Sequence, residues 1–411
     1  MSQSISAHGS EGAEDGRAFL VRLGETLHAH GTPAMRLESA LSECAIKLGI
    51  HGQFLSTPTS LLFGFGEGSA QRTHLARIQP GDVDIGKLAD LDEVIENILD
   101  GSIGATQALE RVREICVAPR RYPTWTVIPA FGLAAGTAAC FFKGSAEDIV
   151  LSTLAGFGVG LLALLVGGRS RAVLIFESIA AFCATIVGVI AASYSAEVSS
   201  SIITLSVLIV LVPGLTLTVA ISELATRHLV AGTARLAWAA TIFLSIALGV
   251  GTGRAMQRLF PPLERVASSE ELPMWATIIA LALAPLAFAI LFRARRRDLP
   301  WVLVAGWLGF LGSRAGTLVL GPELGVLLGS FAVGLASNLY TRFMNRPAVV
   351  IQVPGIMLLV PGSIGFRSMN ALLDNDVLTG VEAAFSMAQV GGALVGGLLF
   401  AEALLRPRRS L

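Results

Sequence analysis

Leu211-Val212-Pro213-Gly214 and Leu359-Val360-Pro361-Gly362 are the same four residues, 148 positions apart, each inside a long uncharged run. The offset holds beyond the motif. Leu224 falls on Leu372, Gly232 on Gly380, Ala240 on Ala388 and Gly249 on Gly397. Chance identities are common between apolar stretches. Four consecutive ones around Pro-Gly, followed by glycines in register without gaps, point instead to an internal repeat. Proline removes an N–H and its ring clashes with the preceding turn, and the glycine after it permits unusual backbone angles. In lipid such a break is tolerated only where protein or water satisfies the freed groups. Paired breaks in two halves are a sequence pointer to a transporter's binding site; a plain packing kink is the competing reading.

The surroundings of the motifs set the class. The chain is 53% hydrophobic and only 15% charged, with a mean hydropathy of +0.68; soluble proteins carry about 25% charged residues. The deficit begins at Tyr122. From there ten uncharged runs follow, at 122–142, 149–168, 172–196, 198–222, 236–253, 272–292, 299–313, 324–341, 347–366 and 383–401. Runs of about 18 residues or more can cross the roughly 30 Å hydrocarbon layer as helices; the seventh run is the shortest. Ten spans place both termini on one side. Fifteen arginines then fall on the inner side against six Lys and Arg on the outer, as the enrichment of cytoplasmic loops in cations requires. The expected architecture is an α-helical polytopic membrane protein of ten transmembrane helices in two five-helix repeats, at 122–258 and 272–405, behind a small soluble α/β domain at 1–121. An odd number of spans per copy makes the repeats inverted, an arrangement recurrent in secondary transporters. With the first apolar stretch near residue 122 and no signal peptide read ahead of it, the N- and C-termini are expected in the cytoplasm and the chain in the cell (inner) membrane.

Formal net charge is zero, so no basic surface suggests nucleic acid. Cys44, Cys116, Cys140 and Cys183 form no C-x-x-C pair, and the histidines show no metal-ligand spacing, so no disulfide framework, metal site or cofactor is indicated. Glu177 is the clearest charge inside a run. An ionised carboxylate there costs at least about 2.5 kcal/mol unless it faces a cavity or a partner, so it is a candidate proton carrier; an interfacial pairing with Arg169 or Arg171 weighs equally. Glu223 and Arg367 follow the two LVPG breaks at nine and five residues past the glycines. A cation such as Arg367 can hold a carboxylate; the competing reading of both residues is an ordinary loop charge at a membrane edge. Gln352, Thr216, Thr218, Ser363 and Asn370 offer neutral hydrogen bonds or simple helix packing.

In the first 121 residues the periodicity predicts helices over 17–50, broken at Gly31-Thr32-Pro33, then strands over 54–65 and 73–78, and helices over 88–99 and 106–117. No nucleophile–base arrangement and no phosphate loop stands out. Arg36, Glu38 and Thr57-Pro58-Thr59 are read as a solvated helix face and an ordinary strand rather than a pocket lining.

The chain resembles the threonine/serine exporter family of secondary transporters over about residues 17–405. The resemblance rests on Gly31-Thr32-Pro33 with Arg36-Leu37-Glu38, Leu48-Gly49-Ile50, Thr57-Pro58-Thr59, Arg121-Tyr122-Pro123, the first LVPG with Glu223-Leu224, and Val353-Pro354-Gly355-Ile356. Its most specific part is Leu359-Val360-Pro361-Gly362-Ser363 followed by Gly365-Phe366-Arg367. The resemblance implies proton-coupled export of small polar metabolites by a two-unit antiporter. It carries over Pro213, Gly214, Glu223, Pro361, Gly362, Ser363 and Arg367 as site-forming positions; Glu177 and Gln352 are added from their polarity. Expected partners are the small-molecule substrate, protons and the lipid bilayer, with assembly as a homo-oligomer left open. Threonine or serine is the leading substrate, a succinate-like dicarboxylate the alternative. A membrane-anchored enzyme with a catalytic N-terminal domain is the reading of another class.

Overall fold

A computed structural model describes residues 2–79, 81–166, 175–261, 263 and 272–406, with side chains from residue 14 onward. The N-terminal unit begins with two helices, α1 (Ser2–Ala29) and α2 (Ala34–Lys47). Three antiparallel strands follow in the order β1 (Gly52–Thr57), β2 (Ser60–Phe65) and β3 (Arg72–Arg77). Two more helices, α3 (Ile85–Asp100) and α4 (Ala105–Val117), complete it. One apolar core, from Phe19, Leu23 and Leu27 through Phe63 to Ile95 and Val112, joins sheet and helices. The single strand expected over 54–65 is a hairpin. Pro58, which has no N–H to give a ladder, turns the chain with Thr59, and Thr57 Oγ1 accepts from Ser60 N at 3.1 Å.

The twelve helices beyond Tyr122 that the described residues contain form two series of six, and at an offset of 148 five of the six pairs have closely matching bounds while the second pair is displaced by a few residues. The first series is α5 (Val127–Phe141), α6 (Ala146–Val166), α7 (Phe176–Tyr194), α8 (Ser200–Leu208), α9 (Gly214–Ala225) and α10 (Leu229–Ala255). The second is α11 (Met274–Leu291), α12 (Leu299–Leu320), α13 (Gly325–Met344), α14 (Val349–Ile356), α15 (Gly362–Leu373) and α16 (Val377–Leu404). Adding 148 to α9 gives the bounds of α15 residue for residue. Backbone detail repeats too. Non-glycine residues at positive φ end α5 and α11 (Lys143, 58°; Arg293, 56°) and α9 and α15 (Arg227, 67°; Asn375, 61°).

Seven described helices are long and apolar enough to cross a membrane, against the ten spans expected. The fourth and ninth runs are each split in two, α8 with α9 and α14 with α15, because both LVPG motifs stop the helix and restart it at the glycine. The eighth run is α13, whose 20 residues include buried Ser330, Ser337, Asn338 and Thr341, so its face is polar. The seventh, shortest in sequence, extends to Leu320 and takes in Arg314, which had been expected in an outer loop. The third begins at Phe176; Arg169 and Arg171 lie outside the described residues.

A candidate site between the N-terminal unit and the two helix series

The two LVPG motifs meet. A Cβ placed on Gly214 would stand 2.1 Å from Val360 Cγ1 and 3.2 Å from Gly362 N. One placed on Gly362 would stand 2.7 Å from Val212 Cγ1 and 3.3 Å from Gly214 Cα. The contacts are reciprocal, Val212 on Gly362 and Val360 on Gly214. Glycine is needed here because the two backbones touch. Pro213 and Pro361 are the residues before the first turns of α9 and α15.

Beside this crossing lies a cavity of about 1300 Å³, larger than the roughly 300–1,000 Å³ of common small-molecule pockets. One wall is α9 and α10, with Thr216, Thr218, Ser222, Glu223, Arg235 and Trp238. The opposite wall is α13, α14 and α16, with Asn338, Gln352 and Glu402. The N-terminal unit is its roof, through His28, the Gly31–Pro33 turn, Arg36 and the Thr57-Pro58-Thr59 hairpin tip. The expectation that Arg36 and the threonines are merely solvated is corrected: they face this cavity, and Glu38 pairs with His228 at 3.4 Å.

Glu223 is the centre of the junction. Its side chain is 1% exposed, and a carboxylate so buried must be paired and hydrogen-bonded. Arg235 Nε donates to both of its oxygens, at 3.1 and 3.0 Å. The third donor comes from the N-terminal unit: Ala34 N, at 3.0 Å. Ala34 opens α2, whose N-cap is Pro33, a residue with no side-chain donor or acceptor to cap it. Helix N-termini leave N–H groups without partners and carry a partial positive charge. Glu223, 189 residues away in sequence, satisfies both.

Further contacts tie the roof to the second series. Arg36 donates to Gln352 Oε1 at 2.6 Å, and Ile85 N donates to Phe292 O at 2.9 Å. Arg293 pairs with Asp82 and Asp84, and Arg295 with Asp90. Ile85 and Ala89 pack against Ala305, Tyr340 and Ile351. Burial lowers the affinity of the His28 and His30 rings for a proton, below the ordinary histidine value.

Of the positions expected from sequence, Glu223 and Gln352 reach the cavity, while Pro213, Gly214, Pro361 and Gly362 form the crossing beneath it. Ser363 follows on α15, outside the lining. Arg367 is exposed, its guanidinium over the Phe142 ring at 5.9 Å to the centroid. Glu177 sits half-buried in the first turn of α7, away from the cavity lining. Arg235 and Glu402 were not singled out. Arg235 carried a signal, a cation entering an apolar run twelve residues after Glu223.

A family model described as "Putative threonine/serine exporter" matches residues 18–257, and one described as "Threonine/Serine exporter, ThrE" matches residues 277–404. The chain belongs to the threonine/serine exporter family. The first match ends just past α10 and the second begins within the first turn of α11, so the two matches divide where the two helix series divide. Family relatives include pheromone-regulated membrane protein 10 of Candida albicans, 27% identical over 85% of this chain and 33% of the relative. The protein of that name from Eremothecium gossypii is 27% identical over 91% of this chain and 50% of its own. An uncharacterized Schizosaccharomyces pombe protein is 24% identical over 90% and 49%. The chain thus spans between a third and a half of the length of these relatives. No solved structure matches it.

Proposed function

We propose that the chain is a secondary transporter that exports small polar metabolites, threonine or serine first among them, in exchange for protons. The observation that carries this reading is the cavity, with its hydroxyl and charged lining, beside the crossing of the two LVPG breaks. Broken helices at a repeat interface hold the sites of many such transporters.

In this reading the two series are inverted repeats and the termini are cytoplasmic. The pairing of helix ends supports the inversion. The C-terminal end of α9 and that of α16 line one cavity through Thr226 and Glu402. Their 148-offset equivalents, Asp374 on the α15 side and Arg254 on α10, bond each other at 2.5 Å. Arg254 also donates to Asn370 Oδ1 at 2.6 Å. One end is bolted between the halves while the other is open, which is one of the two states an alternating-access carrier visits.

The test is efflux from proteoliposomes loaded with labelled threonine or labelled succinate under an imposed pH gradient. Gradient-dependent threonine efflux is the expected result. Succinate efflux alone moves the substrate to dicarboxylates, and movement of neither by folded protein removes the transport reading. Glu223→Gln and Glu177→Gln in the same assay separate the two candidate proton carriers. The one that carries the proton loses gradient-driven flux and keeps exchange.

A further inference from the structure

The N-terminal unit is attached on both sides of the cavity, and the two attachments differ in kind. On the side of the second helix series the hold is partly apolar. Ile85 and Ala89 of α3, both buried, pack with Ala305, Tyr340, Val350 and Ile351. Ile85 N donates to Phe292 O, and a Cβ on Gly86 would stand 2.6 Å from Arg293 O, so the two backbones lie in contact. Arg293 and Arg295 add ion pairs to Asp84, Asp90 and Glu93. The segment that leads on to α5 is tied to the same turn, through Tyr122 Oη donating to Ala294 O at 2.9 Å. On the side of α9 and α10 the hold is polar. Ala34 N donates to Glu223 Oε1 at 3.0 Å. Glu38 Oε2 lies 3.4 Å from His228 Nε2, with both side chains partly exposed. Among the described residues, no apolar cluster joins the N-terminal unit to α9 or α10.

We propose that the N-terminal unit is the gate of the cavity: it stays seated on α14 and the turn between α11 and α12, and leaves α9 and α10 to let substrate pass. The proposal rests on the transport reading above. Opening an apolar contact returns its area to water and is opposed in proportion. Opening a hydrogen bond to water costs little net, because water takes the place of each lost partner. The attachment that yields is therefore the polar one. Glu223 suits that exchange. When α2 leaves, its carboxylate keeps both bonds to Arg235, and water replaces Ala34 N. The gap opens beside Thr226 and Val230, which line the cavity on either side of His228 in the chain.

The experiment uses the full chain in proteoliposomes, with the native cysteines replaced and two cysteine pairs installed. Glu38→Cys with His228→Cys spans the attachment that opens, and Glu93→Cys with Arg295→Cys spans the one that stays. A reducible bifunctional thiol reagent joins each pair. Linking positions 38 and 228 is expected to lower threonine efflux about tenfold or more, as locking a lid that must open in each cycle does, and reductant restores it. Linking positions 93 and 295 is expected to leave efflux within about twofold of the unlinked protein, since that contact does not open. Full efflux with the first link in place overturns the gate, and loss of efflux with the second overturns the seat assigned to it. Spin labels at the same pairs read the motion without flux: two distances are expected between positions 38 and 228, and one between 93 and 295. A single distance at both overturns the gate whether or not threonine moves. Two distances at the first pair in a protein that moves no threonine overturn instead the transport reading beneath it.

Discussion

The two halves of the membrane region share a backbone and differ in their charges. At the end bearing the N-terminal unit, the first half has Glu223 and Arg235; the equivalent positions of the second half are Ala371 and Ala383. At the opposite end the first half has Arg254, bonded to Asp374 and Asn370 of the second. The equivalents of these three are Glu402, Thr226 and Ser222, which line the open cavity. The repeat supplies the crossing, two touching glycine turns, and the copies differ in the charges at the end each presents. One end became a bolt between the halves. The other became a chamber that needs a third element, the N-terminal unit, to roof it.

Breaking the roofed end is expected to cost most. Glu223→Ala leaves Arg235, 17% exposed, without its carboxylate and α2 uncapped; breaking a fully buried pair costs about 3–5 kcal/mol, which is the upper bound here. Denaturation in detergent and faster proteolytic release of the N-terminal unit read this loss, and Ala371→Ser at the equivalent position leaves both unchanged. At the crossing, Gly214→Ala forces a Cβ against Val360, and overpacking of this kind costs about 1–3 kcal/mol. Gly362→Ala, with its nearest contact at 2.7 Å rather than 2.1 Å, is the milder of the two. Both are read as lower thermal midpoints and slower efflux, and Val360→Ala relieves the first. At the bolted end the expected change in stability is smaller. Asp374 is 57% exposed, and exposed pairs contribute about 0–1 kcal/mol. Arg254→Gln should therefore leave the melting temperature nearly unchanged while raising the thiol labelling of an Asn370→Cys variant.

The smallest effect is that of pH on the roof. His28 and His30 are held below the ordinary value of 6.5 by burial. The unfolded chain therefore binds more protons than the folded one as pH falls. Their contribution to stability is complete above about pH 6.5 and is lost as pH drops through their lowered folded values. The thermal midpoint of the N-terminal unit should fall on acidification, with a shallower slope in His28→Gln.

Much of this could be read in the sequence where it was local. Pro-Gly breaks stop a helix by their own geometry, so both crossings stood out, and so did the 148-residue offset. Asp100-Gly101 marked a helix end, and Gly101 takes the left-handed φ of 79° there. Interruptions by one polar residue misled. Arg314 ended the predicted seventh run but not the helix, because an exposed arginine on an apolar helix keeps its charge at the surface. The site was half legible. Glu223 and Gln352 drew attention as polar residues in apolar runs. Arg36 and Thr57–Thr59 had ordinary surroundings, and only the docking of the N-terminal unit, by contacts across 189 and 316 residues, turns them inward. Arg367 attracted notice by its charge, yet it lies on α15, which contributes no residue to the chamber's lining.

The central claim is that the open and bolted ends exchange. Inter-label distances in proteoliposomes test it directly, with one label pair at Leu229 and Leu404 and another at their equivalents Val377 and Met256, all outside the cavity lining and the Arg254–Asp374 bond, and the native cysteines replaced. Adding threonine under a pH gradient is predicted to shorten the first distance and lengthen the second. Two distances that stay fixed, or that change in the same sense, would contradict the account.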